Sequence, residues 1–210
     1  MNRVTDAKRP PRGARGLSGL HEKSSPKKMW DQEYATGFGS HLKLSDTRAH
    51  NEMLVEFMTS VDKNKAILDV GCGEGLLVDF LHVCGYQHYL GFDFSDVALQ
   101  NAAKRADSKT VFTKGFVESF VPDGHVDAIV FNECLYWFSE PLKILRRYEK
   151  FLADGGVILV SLFTMNEKSR ALDAEIASQF NVIRREKITN ATGTWSCSMI
   201  KKDHDRAASE

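Results

Sequence analysis

The sequence predicts an α/β protein built on an open, mainly parallel sheet, and three stretches carry that expectation. Ala66 to Leu76 (AILDVGCGEGL) passes from an apolar segment through a glycine turn into residues at helical spacing. His88 to Phe92 reads as a second strand and ends on an acid, Asp93, 18 residues after Gly75. Near the carboxyl end, Phe180 to Thr189 and Thr194 to Lys201 alternate and are joined through Asn190 to Gly193, the pattern of an antiparallel hairpin. Strand–turn–helix units of the first kind open ligand crevices at the strand ends of α/β sheets.

The chain, at 210 residues, suits one well-buried domain and is short for two. Its net charge is zero but unevenly spread: residues 1–28 hold eight Lys or Arg against Asp6 and Glu22, or +6. That tail carries few large apolar residues and several Pro and Gly, so it is expected to be disordered. A basic arm of this kind can also hold nucleic acid through counterion release, a reading that is kept open but not favoured over plain solvation. The expected folded domain covers residues 29–201, with a polar tail at 202–210.

Trp30, Tyr34 and Phe38 fall on one side of a helical wheel that Gly37 and Gly39 interrupt, which predicts a short helix or lid. Those aromatics either cap the core or face a ligand. Asp46 can cap a helix running to about Val61, with Met53, Leu54, Phe57, Met58 and Val61 on its apolar face.

Ala66 to Leu68 then reads as a buried strand, with Asp69 near its end. Gly71, Gly73 and Gly75 follow at alternate positions, and their missing Cβ atoms let a ligand approach the backbone. A dinucleotide fingerprint needs G-x-G-x-x-G, but its third glycine position is Leu76 here, which disfavours a nicotinamide-dependent oxidoreductase.

Ile67 to Gly75 (ILDVGCGEG) resembles the first motif of the class I S-adenosylmethionine-dependent methyltransferases, and the resemblance covers roughly Asp46 to Lys201. It implies a Rossmann-like three-layer sandwich with a seven-stranded, mostly parallel sheet and an antiparallel edge hairpin. S-adenosylmethionine would lie across the strand ends, against Asp69, Gly71, Cys72, Gly73 and Gly75. In that family the segment before the first strand often closes over cofactor and substrate, which makes Trp30, Tyr34 and His41 substrate-side candidates.

Asp93 stands where an acid can accept hydrogen bonds from ribose hydroxyls, while Ser95 caps a helix over Asp96 to Lys104. Phe94 is expected beside the adenine. Lys109 to Thr113 forms a third strand, and Gly115-Phe116-Val117-Glu118 stands where the family often has Gly-Asp-Ala. Phe116 departs from that pattern, so adenine is expected to bond the backbone at Phe116 or Val117, with Glu118 as a further acceptor.

After a Pro-Asp-Gly turn, Val126 to Phe131 reads as a central strand. Its continuation, Asn132 to Phe138 (NECLYWF), is the second informative stretch. By resemblance, residues here touch the cofactor's methionine part and the acceptor. Asn132 can orient groups through its amide, and Glu133 is the first candidate for a catalytic proton acceptor or amine grip. Tyr136 and Trp137 either wall a compact acceptor or pack under the next helix. The Asn/Asp-Pro-Pro-aromatic run of adenine-N6 methyltransferases is missing, and Cys134 lacks the Pro-Cys pair of cytosine-C5 enzymes.

A helix from Ser139 through Leu152, a turn at Leu152 to Gly156 (LADGG), a fifth strand at Val157 to Phe163 and a helix from about Glu167 to Gln179 lead into the hairpin. The four cysteines form no C-x-x-C pair or His cluster, so no metal site is expected, and a reducing, cytoplasmic setting fits. No apolar run approaches a membrane span. The reading is a methyltransferase acting on a small molecule, with the methylated atom (N, O, S or C) open. The alternatives are an S-adenosylmethionine-binding RNA-associated or regulatory protein, or an RNA or protein methyltransferase. Aminopropyl transfer is a poor fit, since Glu74 and Glu133 are too few acids to hold a polyamine.

Overall fold

The computed structural model describes residues 26–36, 48–61 and 65–202. The tail before Pro26, His41, the Asp46 cap and residues beyond 202 lie outside the described residues. Seven strands make one sheet in the order β3-β2-β1-β4-β5-β7-β6. They are β1 (Ala66–Val70), β2 (His88–Asp93), β3 (Thr110–Lys114), β4 (Val126–Asn132), β5 (Leu152–Phe163), β6 (Asn181–Thr189) and β7 (Thr194–Lys201). All pairs are parallel except β5–β7 and β7–β6, so the antiparallel hairpin sits at one edge as expected.

The central strands are apolar on both faces because helices cover both. Ile67, Tyr89, Ala128, Val130 and Leu159 face one layer, where they meet α2 (Ala49–Val61) and α3 (Leu76–Cys84) through Leu54, Phe57, Leu77 and Leu81. Their neighbours Leu68, Ile129, Phe131, Ile158 and Val160 face the other layer, against α5 (Pro141–Glu149) and α6 (Glu167–Gln179) through Leu145, Tyr148, Leu172 and Ile176. Each fully buried side chain of this size contributes roughly 1.5–3 kcal/mol over its exposed state. The period-two alternation of a strand thus divides one continuous apolar run between two cores.

Several boundaries differ from the sequence reading. Helix α1 spans Pro26–Ala35, beginning three residues before Met29. Helix α4 (Asp96–Ala102) gives way to a 3₁₀ turn over Ala103–Arg105. Strand β5 starts at Leu152 and absorbs the predicted LADGG turn, because Leu152 pairs with Val126 ahead of a register shift. Strand β1 reaches Val70, which puts Asp69 inside the strand, on the same face as Ile67.

Strand β1 has β2 on one side and β4 on the other, so the strand order reverses there. The crevice beyond the carboxyl ends of β1 and β4 is the place where such sheets take ligands.

Candidate functional site

The loop after β1 turns through left-handed backbone at Gly71 (φ 66°) and Gly73 (φ 53°). A side chain is disfavoured there; the Cys72 N–H donates to the Phe92 carbonyl at 3.0 Å and the Gly75 N–H to the Cys72 carbonyl at 2.9 Å, which fix the turn. The Gly73 N–H donates to Asp93 Oδ2 at 3.0 Å, and the Ser95 N–H donates to Asp93 Oδ1 at 2.8 Å. Asp93 therefore faces the glycine loop from the tip of β2. Burial raises its carboxyl above the ordinary value, and those N–H groups oppose the rise. A carboxylate oxygen has two lone pairs, so each Asp93 oxygen retains capacity for a further donor.

Asp69 is 2% exposed and lies beneath this loop. The Tyr89 hydroxyl donates to its Oδ2, while Oδ1 has no partner. Burial pushes the Asp69 carboxyl up to about 7; the Tyr89 bond lowers it and the Asp93 charge raises it further.

The Phe94 and Phe116 rings lie nearly parallel, 13° apart in plane, with centroids separated by 6.3 Å. Phe116 is 52% exposed, although it occupies the position of an acid in the resembling motif. The expected backbone contacts are partly taken: the Phe116 carbonyl accepts from the Ser119 and Phe120 N–H groups at 3.0 and 2.8 Å. The Val117 carbonyl accepts from the Tyr148 hydroxyl at 3.1 Å, and the Val117 side chain belongs to the core.

Helix α1 crosses the crevice and is tied to the start of α4. The Ser95 hydroxyl donates to Asp31 Oδ1 at 2.6 Å while accepting the Ala98 N–H as the cap of α4. Lys27 pairs with Asp96 at 2.8 Å. Tyr34 follows on α1, and a Cβ added to Gly73 would fall 2.9 Å from its hydroxyl oxygen. Trp30 meets Trp137 edge-on, with centroids 5.1 Å apart, and Tyr136 and Tyr34 extend the aromatic row at 5.4 and 5.9 Å. Four of the five substrate-side candidates (Trp30, Tyr34, Tyr136 and Trp137) are thus assembled from elements about a hundred residues apart.

At the tip of β4, Glu133 is the one described non-glycine residue with positive φ, 57°. That turn aims its carboxyl back at β5 rather than outward. Its Oε1 lies 2.9 Å from the Ser161 hydroxyl, and its Oε2 accepts from the Tyr136 hydroxyl at 3.0 Å and the Phe163 N–H at 3.1 Å. Burial pushes the Glu133 carboxyl up to about 7 against these bonds. Asn132 donates to Asn51 Oδ1 at 2.7 Å. Cys134 is buried, its Sγ donates to the Val70 carbonyl at 3.0 Å, and burial drives the thiol well above its ordinary value. It has the environment of a core thiol rather than of a nucleophile.

Sequence reasoning missed Asp31, Asn51 and Ser161. Ser161 carried a faint signal, a lone polar residue inside the apolar run VILVSLF. Asp31 and Asn51 carried none, since acids and amides on helices are usually solvated.

A family model described as a methyltransferase domain matches residues 45–204. The chain belongs to the class I S-adenosylmethionine-dependent methyltransferase family. Among curated relatives of this methyltransferase-family chain, the trans-aconitate 2-methyltransferase of Rhizobium rhizogenes is 28% identical over 172 residues, covering 78% of this chain and 59% of that protein. The ribosomal protein L11 methyltransferase of Burkholderia cenocepacia is 32% identical over 116 residues, covering 55% of this chain and 35% of its own length. The chain thus spans between about a third and three fifths of these relatives. The N-methyltransferase NodS from Bradyrhizobium japonicum, solved with S-adenosyl-L-homocysteine, superposes with a TM-score of 0.72 at 16% identity, covering 85% of this chain and 98% of that one.

The residues of the crevice fit the cofactor of this family. The bare Gly73 backbone lies under the Tyr34 hydroxyl with no space for a Cβ, Asp93 has acceptor capacity beside the loop, and Asp69 Oδ1 is a buried acceptor without a donor. Among the described residues, no helix is long and apolar enough to cross a membrane.

Proposed function

We propose that this protein transfers a methyl group from S-adenosylmethionine to a small acceptor molecule. The observation that carries the reading is the Asp93 carboxyl, buried at the β2 tip and bridged to the glycine loop through the Gly73 N–H at 3.0 Å. In this proposal Asp93 accepts the two ribose hydroxyls, Phe94 and the exposed Phe116 ring flank the adenine, and Gly71, Cys72, Gly73 and Gly75 supply the close-approaching backbone. Asp69 and Asn132 face the amino-acid part. When bound, the cofactor supplies a methyl carbon on a positively charged sulfur, and that sulfur keeps the bonding pair as the acceptor's lone pair takes the carbon.

The chain's own contribution is alignment and exclusion of water. Orientation of two reactants can lower a barrier by roughly 7–11 kcal/mol in favourable cases. Helix α1 acts as the cover: Asp31, Ser95, Lys27 and Asp96 hold it down, and Tyr34 closes over the loop. Trp30, Tyr136 and Trp137 wall the acceptor side with flat apolar surface, which favours a compact, partly apolar acceptor. Relatives act, by their names, on a small acid and on a ribosomal protein, so the acceptor class is a choice made on this wall.

A second reading, an RNA-associated or macromolecule-directed methyltransferase, draws on the +6 charge of residues 1–28. One experiment separates the two. The full chain is incubated with methyl-labelled cofactor and a cell extract split into small-molecule, RNA and protein fractions. Label in the small-molecule fraction, identified by mass, supports the proposal, and label confined to RNA or protein overturns it.

A further inference from the structure

The order of the strands decides which end of the crevice meets which part of a nucleoside. Asp69 lies in β1, Asn132 ends β4, Asp93 ends β2, and β3 is the next strand outward. A ligand with its amino-acid arm over β1 and β4 and its sugar on Asp93 carries its base over the loop that follows β3. That loop, residues 115–120, is locked from beneath. The Gly115 N–H donates to the Asp93 carbonyl at 3.0 Å. A Cβ added to Gly115 would fall 2.6 Å from the Phe120 ring and 3.0 Å from the Phe92 ring, and those two rings stack with centroids 4.0 Å apart. With Phe120 tucked inward, the Phe116 ring stands outward, 52% exposed and nearly parallel to Phe94.

A purine offers two things to a protein, its flat faces and its hydrogen-bonding edge. On the edge of adenine, the 6-amino group is a donor and needs an acceptor. The loop presents ring faces, but its candidate acceptors are committed elsewhere. The Phe116 carbonyl takes the Ser119 and Phe120 N–H groups, which uses both of its lone pairs. The Val117 carbonyl takes the hydroxyl of Tyr148, a fully buried residue of α5, and so points into the core. Glu118 is exposed, two residues further round the turn. The Phe116 side chain itself has no lone pair to give.

We propose that this protein grips the purine end of its cofactor by ring faces and does not select the 6-amino group, with Phe116 as the specificity-determining residue. The inference rests on the function proposed above. Stacking on an aromatic ring tolerates changes of base, because every base has a π-face. A site built to hydrogen-bond a ligand N–H rejects the analogue lacking it, since a buried acceptor is then left bare. At Phe116 no such acceptor waits, so removing the amino group strands nothing.

The test is calorimetry on the full chain with two ligands, S-adenosyl-L-homocysteine and its analogue with hydrogen in place of the 6-amino group. The analogue keeps every ring nitrogen, so only the amino group is probed. Wild type should bind the two within about threefold of each other. Phe116→Ala removes a ring face and should weaken both alike, leaving their ratio as it was. Phe116→Asp supplies a charged acceptor and should raise the ratio to about tenfold or more in favour of the amino compound. Glu118→Gln should leave the wild-type ratio unchanged. A wild-type preference of tenfold or more for the amino compound, a ratio that moves in Glu118→Gln, or no rise in a folded Phe116→Asp overturns the proposal. The wild-type comparison decides by itself where a variant does not fold. If neither compound binds wild type, the function proposed above fails and takes this inference with it. Tight binding of the amino compound with loss of the other sinks this inference alone.

Discussion

Replacing Asp69 by Asn should change how stability depends on pH, and the direction follows from burial. The Asp69 carboxyl rises from 3.8 to about 7 in the folded protein, chiefly through desolvation. A carboxyl raised by folding adds stability that is fully present below its unfolded value and is lost as pH rises through its folded value. The window therefore runs from about pH 4 to pH 7, with wild type losing stability across it on account of this group. A rise of about three units corresponds to up to about 4 kcal/mol at 1.36 kcal/mol per unit. Asn keeps an oxygen for the Tyr89 hydroxyl but cannot ionise. Urea unfolding of both proteins at pH 5 and pH 8 reads the effect. The variant should gain on wild type by about 2–3 kcal/mol between those values, since about two of the three units lie between pH 5 and pH 7. An equal difference at the two pH values would refute the claim that a buried, proton-binding carboxyl lies beneath the glycine loop.

Asp93→Ala removes the acceptor shared by Gly73 and Ser95, and calorimetry should detect no S-adenosylmethionine binding; wild-type affinity would remove the ribose assignment. Gly75→Ala places a Cβ 2.6 Å from Phe112 in left-handed backbone (φ 70°) and should destabilise the protein by about 2–4 kcal/mol. A loss in the same urea assay no larger than the left-handed backbone penalty of about 1–2 kcal/mol would mean that Phe112 yields freely. Trp30→Ala deletes the edge-on contact with Trp137 and should raise the acceptor KM about tenfold while cofactor affinity changes less. An unaltered KM with lost cofactor binding would assign Trp30 to the other half of the crevice.

Several features of this molecule were legible because they are local. The Gly71–Gly75 turn, the strand that feeds it and the acid at position 93 follow from residue type and spacing over short distances. Helix α6 and strand β7 match their sequence bounds, Glu167–Gln179 and Thr194–Lys201, because period and flanking turn residues agree. Strand β5 was misread at its start, since a Gly-Gly pair signals a turn and only pairing with β4 draws Leu152 into the sheet.

The sequence by itself determined the sheet type, the crevice and the carboxylate at its rim, since a run of apolar residues, a bare loop and a following acid constrain backbone within a few residues of each other. Only tertiary structure decided which way Glu133 points, because its positive φ and its partners Ser161 and Phe163 arise from the meeting of two strands. The same holds for the aromatic row from Tyr34 to Tyr136 and for the bond from Asn132 to Asn51. Their members lie far apart in sequence, and no local periodicity records which side chains a fold will bring within hydrogen-bonding distance.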